Sequence, residues 1–142
     1  MTRLALALAL WACLPAMAVA DRAALSAVNG YRAQQGRAPL SYSTALDRAA
    51  QAHADDMARR GYFSHDGADG STVGSRVAAQ GYGWCVVAEN IAKGQRDLAA
   101  VMQAWIASPG HRRNLRNRDV TQFALAQGAG RVWVMILAAP GC

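Results

Sequence analysis

A single glutamate, Glu89, and a single lysine, Lys93, occur in this chain of 142 residues. Aspartate supplies the remaining acid and arginine nearly all the base. The lean to Arg and Ala follows genomic base composition as readily as it follows function, so it is given little functional weight. The sole Glu carries more. It lies in Val86-Val87-Ala88-Glu89-Asn90-Ile91-Ala92-Lys93-Gly94, with an apolar, β-branched flank on one side and a glycine on the other. An ionised carboxylate at or near the interior of such a run needs partners.

Other absences narrow the field. There is no Cys-x-x-Cys and no Cys/His spacing of the zinc-binding kind, which excludes a zinc site built on cysteine. No G-x-S-x-G occurs, so the nucleophile elbow of one large hydrolase class is missing. No basic stretch is interleaved with aromatic residues, which argues against nucleic acid as a partner. Internal repeats, linkers and low-complexity segments are also lacking. The longest apolar run, Leu4 to Leu14, is shorter than the roughly twenty residues of a membrane span.

That run belongs to a secretory signal peptide. Arg3 precedes it, Pro15 breaks it and Ala18-Val19-Ala20 offers a small-residue cleavage site. Residues 1–20 are expected to be removed, leaving a domain of residues 21–142 that is secreted or periplasmic and has no transmembrane segment. A lipoprotein signal with Cys13 as the modified residue is the minor alternative. What remains can bury one core, and a monomer is expected. The formal charge of +6 becomes +5 once Arg3 is gone. Such a charge suits solubility, and it suits an anionic envelope surface as a partner. With Cys13 removed, Cys85 and Cys142 form the one available disulfide pair of an exported chain.

Helical spacing runs from Asp21 to Gln35 and ends at Gly36, although Gly30 weakens its middle. Pro39-Leu40 is an extended connector. Ser43 or Thr44 caps a second helix that stops at Gly61, with Leu46, Ala49, Ala50, His53 and Met57 as its apolar stripe. Turn chemistry fills Tyr62 to Ser75, and a short helix covers about Thr72 to Gln80. Asp97 starts a third long helix, broken at Ser108-Pro109-Gly110, with one more turn over His111 to Leu115. Thr121 to Gln127 and Val132 to Ala138 form an antiparallel hairpin. Helices first and strands late give an α+β fold.

Three histidines are present. His53, on an apolar stripe, is expected to be a core residue bonded to backbone. His65 sits in a Gly/Asp/Ser-rich loop, and His111 follows a broken helix. With Glu89 they are separated by 23 and 21 residues. If the three meet, two imidazoles and a carboxylate form a divalent-metal site or an acid/base group, in which the carboxylate would raise the histidine pKa values.

Ala88-Glu89-Asn90-Ile91-Ala92, followed by Ala104-Trp105-Ile106-Ala107-Ser108-Pro109-Gly110-His111-Arg112-Arg113-Asn114-Leu115, resembles the bacterial branch of the CAP (SCP-like) superfamily. This superfamily comprises cysteine-rich secretory, antigen-five and pathogenesis-related proteins. Val28-Asn29-Gly30-Tyr31-Arg32, Ala52-His53-Ala54, Phe63-Ser64-His65, Arg76 with Gly81-Tyr82, and Trp133 extend the likeness in family order over essentially the whole domain.

The resemblance implies an α-β-α sandwich with a small antiparallel sheet and a cleft. In animal members two His and two Glu line that cleft and can hold zinc or another divalent cation. Carried over, these are His65, Glu89 and His111, which are the candidate catalytic and metal residues. The second Glu is replaced by Ser108, so any metal is expected to bind weakly. Another departure, Phe123-Ala124-Leu125-Ala126, stands where relatives show a Gly-x-Gly strand entry, and altered packing is expected there.

A nucleophile role for Ser108 beside His111 is set against a helix-ending role in which its hydroxyl bonds to backbone. Asn90 and Asn114 are expected to hold backbone near the cleft. Arg112, Arg113, Arg116 and Arg118 form either a solvated face or an anion-binding patch. Whether the protein is an enzyme stays open. The leading reading is a module that binds a lipid, a sterol or a cell-envelope component. The alternative is a metal-dependent or acid/base hydrolase, peptidase-like, in the same cleft.

Overall fold

The computed structural model describes residues 19–142, with backbone alone for Val19 and Ala20. The signal-peptide and Cys13 expectations fall on residues that are otherwise outside this range. The elements are α1 (Val19–Gln34), β1 (Ser41–Tyr42), α2 (Thr44–Arg60), α3 (Val73–Ala79), β2 (Trp84–Lys93), α4 (Leu98–Ala107), α5 (Pro109–Leu115), β3 (Gln122–Gly128) and β4 (Val132–Pro140). A 3-10 turn, Ala129–Arg131, joins the last two strands.

Local chemistry sets most boundaries. Ser43 caps α2 by accepting from the Leu46 N–H, and Gly61 ends it in the left-handed conformation that glycine adopts without a Cβ penalty. Thr72 and Ser75 form a reciprocal capping box on α3, and Asp97 caps α4 through the Ala100 N–H. α5 begins at Pro109, two residues earlier than the sequence suggests. Proline at the first helical position lacks only an N–H that would have had no partner there.

The sheet has the order β1-β3-β4-β2. The β2–β4 and β3–β4 pairs are antiparallel. The two-residue β1 runs parallel to β3, so the sheet departs from pure antiparallel pairing at that edge. Both faces are covered. Along β4, Trp133, Met135 and Leu137 enter one core with α1 and α4, while Val132, Val134, Ile136 and Ala138 enter the other with α2 and α3. The strict period of two divides one apolar strand between two layers and yields the α-β-α sandwich.

The altered β3 segment follows the same rule. Phe123 meets Tyr42 edge-on at 5.9 Å, and Ala124 and Ala126 lie under α2. Small residues there let α2 approach closely. A Cβ on Gly128 would stand 2.8 Å from the Ala54 carbonyl oxygen. Cys85 and Cys142 form the expected disulfide, with Cα atoms 5.3 Å apart, and tie the start of β2 to the C-terminus.

β2 is an edge strand, and its unpaired side bears on the site. The indole of Trp105 in α4 donates to the Ile91 carbonyl at 3.2 Å, and Asn114 in α5 donates to the Glu89 carbonyl at 3.3 Å. Two side chains thus satisfy backbone groups that an open edge would offer to another strand.

Candidate functional site

Alternation along β2 separates Glu89 from its neighbour in sequence. Glu89 shares the parity of Ile91, which packs with α2 and α3, whereas Ala92 packs with α4. Glu89 therefore faces the α2–α3 layer. Its side chain is only 2% exposed. One carboxylate oxygen accepts from Arg76 Nη2 at 2.7 Å, and the other accepts from His65 Nδ1 at 2.8 Å. Arg76 comes from α3 and also donates to the Ser71 carbonyl at 3.0 Å. Buried carboxylates are tolerated when both oxygens are engaged in this way.

Arg76 is the partner that sequence reasoning did not name as one. The available signal was the buried acid itself, which demands a cation. Arg76 is the arginine of the short helix that precedes β2, with Val77 beside it in the core.

His53 meets its expectation as a core residue. It is buried, and its Nε2–H donates to the Ser64 carbonyl at 2.9 Å. The same nitrogen lies 4.0 Å from Glu89, beyond hydrogen-bond reach. Burial is the main reason its pKa is lowered. The Arg76 charge acts in the same sense, and Glu89 opposes both. The unfolded chain takes up a proton at this position near pH 6.5, while the folded chain resists it. Stability contributed by neutral His53 is therefore lost as pH falls below about 6.5 towards the folded-state pKa. Melting temperatures measured from pH 7 to pH 5 should fall further in the wild type than in His53→Gln. Parallel curves would remove His53 as the cause.

His111 stands near His65 but makes no bond to Glu89. It belongs to α5, which packs on the edge of β2, where the Asn90 side chain donates to the His111 carbonyl at 3.1 Å. Asn114 donates to Asn90 Oδ1 at 2.8 Å, so Asn90 and Asn114 hold the α5 backbone against β2. The His111 pKa is lowered, chiefly by burial and then by repulsion from His65. No carboxylate stands among the causes at His111, so the rise expected from a neighbouring carboxylate is absent there. Ser108 is the hinge residue between α4 and α5. Its hydroxyl makes no capping bond, contrary to the expected backbone role, although its carbonyl accepts from the Arg112 N–H at 2.8 Å.

Beside this edge lies a depression of about 350 Å³ lined by Phe63, Ile91, Ala92, Lys93, Gln95, Ala104, Trp105, Ser108 and His111. Phe63 is 47% exposed, and the His65 side chain is 56% exposed. With Nδ1–H directed to Glu89, the accepting nitrogen of His65 is Nε2.

Among the described residues no group of three or more His, Cys, Asp and Glu is placed to hold a metal ion. Glu89 is committed to Arg76 and His65, a hydroxyl stands at position 108, and the Arg76 guanidinium already supplies the positive charge that the buried carboxylate requires.

The three layers, the edge-strand carboxylate and the neighbouring imidazoles define an SCP-type α-β-α sandwich. Residues 25–135 match the cysteine-rich secretory protein (CAP) family, and the chain belongs to it. It is 30% identical over 114 residues to the uncharacterized protein YkwD of Bacillus subtilis, an alignment covering 80% of this chain and 44% of that protein.

An extracellular SCP-domain protein of Bacillus anthracis superposes with a TM-score of 0.79 at 27% identity, over 83% of this chain and 39% of the other. An outer surface protein of Borrelia burgdorferi superposes with a TM-score of 0.78 at 19% identity, over 84% and 92%, a likeness of fold alone. The chain spans less than half the length of the curated relatives it matches. No helix of the described residues is long and apolar enough to cross a membrane.

Proposed function

We propose that this chain is an exported binding module whose ligand occupies the depression beside β2. The observation that carries the reading is the engagement of both Glu89 oxygens by Arg76 and His65. The one buried acid serves the structure, and the accessible surface next to it is suited to contact. Phe63 offers an apolar face, while Lys93, Ser108 and His111 supply polar groups around it. An amphipathic ligand, a lipid or sterol or another envelope component with an acidic or hydroxylated end, suits this combination. Localisation outside the cytoplasm accords with the disulfide and with the likeness to an extracellular protein of Bacillus anthracis.

The test is extraction of fatty acid and sterol from vesicles by the wild type and by Phe63→Asp. A loss of roughly tenfold in the variant is expected from the removed apolar contact and the added charge. Equal extraction by both proteins would move the ligand elsewhere.

A second reading rests on one further observation. Glu89 orients His65 so that the half-exposed ring presents Nε2, the arrangement of a general base. Hydrolysis of a peptide library by the wild type and its abolition in His65→Ala would establish it. No turnover in the wild type would dismiss it.

A further inference from the structure

Helix α5 has a second side. His111 and Ser108 face the depression beside β2, whereas Arg112, Arg113, Asn114, Arg116 and Asn117 turn with Arg37 onto a separate concavity of about 560 Å³. Four guanidiniums line it, and no acidic side chain does. None of the four takes part in any ion pair among the described residues.

Two of these arginines are fixed by backbone. Arg37 Nε donates to the Arg116 carbonyl at 2.9 Å, and Arg112 Nη1 donates to the Ile106 carbonyl at 3.0 Å. The Arg113 and Arg116 side chains are exposed and make no such bond, which leaves their full donor sets available. The wall itself is braced. Buried Arg32 donates to the Ala38, Leu115 and Asn117 carbonyls, joining the loop after α1 to the end of α5.

A solvated basic face would be convex, with its charges spread apart. Here four like charges are held around one hollow without a protein counter-ion, an arrangement that lowers its energy by taking up an anion. Guanidiniums match the paired oxygens of phosphate in fork geometry. Among the described residues no exposed large apolar side chain borders the hollow, since Phe63 lines the other depression and Trp84 stands outside both. A membrane surface, which calls for an apolar anchor on a flat or convex face, suits it less well than a discrete phosphodiester does.

We propose that the Arg37–Arg112–Arg113–Arg116 hollow binds a phosphodiester, as a site distinct from the depression beside β2. A fluorescent oligomer of glycerol phosphate would be titrated into the full chain, with inorganic phosphate as competitor. The wild type should bind the oligomer, lose it as salt is raised and release it to excess phosphate.

R113Q/R116Q should bind at least roughly tenfold more weakly, and R113K/R116K should fall between the two, since lysine keeps charge without the fork. Thermal melts of both variants should match the wild type, because these side chains are exposed; the lysine pair keeps the test valid if the glutamine pair melts early. Unchanged affinity in R113Q/R116Q would overturn the site. So would loss of oligomer binding in Phe63→Asp, which would place the oligomer beside β2. Binding to anionic phosphatidylglycerol vesicles without binding to the oligomer would overturn it in favour of a membrane surface.

Discussion

Replacing Glu89 with alanine is expected to cost about 3–5 kcal/mol of folding free energy, the range for removing one partner of a buried ion pair. The loss comes mostly from what is left behind. The Arg76 side chain is 10% exposed, and without the carboxylate its charge remains buried with the Ser71 carbonyl as its acceptor. His65 also loses the group that fixes its ring. Urea denaturation of Glu89→Ala, Arg76→Met and the double variant would measure the pair directly. The double variant should be markedly more stable than the sum of the single losses predicts, because neither charge is then left alone. Strict additivity would show that the 2.7 Å contact carries no coupling.

Arg32→Met should be similarly severe, at roughly 4–5 kcal/mol: three charge-assisted hydrogen bonds of about 1.5–3 kcal/mol each are lost, and the low end applies because the guanidinium's desolvation cost disappears with it. Methionine keeps most of the apolar stem and so isolates the guanidinium. Arg32 is 1% exposed and has no carboxylate ion-paired to it among the described residues. Its partners are the carbonyls of Ala38, Leu115 and Asn117, the second of these ending α5. Burial is the main cause, and Arg37 a second one, of its lowered pKa, and three backbone dipoles offset the desolvation. Arg32→Lys should recover only part of the loss, because an ammonium cannot span the same fork. Thermal melts of the two variants would decide the point. A methionine variant as stable as the wild type would show that the carbonyls find other partners.

The two residues differ in how visible their roles are beforehand. Arg32 falls at helical spacing on the apolar side of α1, which marks it as inward-facing, yet nothing local reveals that it reaches residues more than eighty positions away. Glu89 stands out by being alone. Its need for partners follows from elementary desolvation, and His65 is among the residues the pattern brings forward. Arg76 enters only through the family likeness and is not named as a partner of Glu89, since an arginine on a short helix is ordinarily a solvated one.

His111 shows the converse. Family resemblance draws it into one cluster with Glu89, and the fold does bring it near His65. The period of two along β2, however, sends Glu89 to the α2–α3 layer, while α5 packs on the strand's edge with Asn90 and Asn114 holding it there. There Arg76 and His65 take the two Glu89 oxygens and hold the buried acid in place. The basic segment is likewise legible as a row of arginines in and after the broken helix. That Arg37 closes the row into a hollow depends on the α1 loop meeting α5.

What local chemistry alone dictates here is the set of elements and their ends. Ser43, Thr72 and Asp97 cap helices through atoms three residues away, Gly61 supplies a left-handed stop, and the unbroken apolar run from Val132 to Ala138 demands burial on both faces. These interactions act within a few residues, so the chain carries them wherever it folds. The pairing of Glu89 with Arg76, the reach of Arg32 to α5 and the placing of His111 beside the edge strand were decided by the packed sandwich. Each joins groups that meet only when the two helical layers close on the sheet. The energy that selects the partner is desolvation, which does not exist until that closure excludes water.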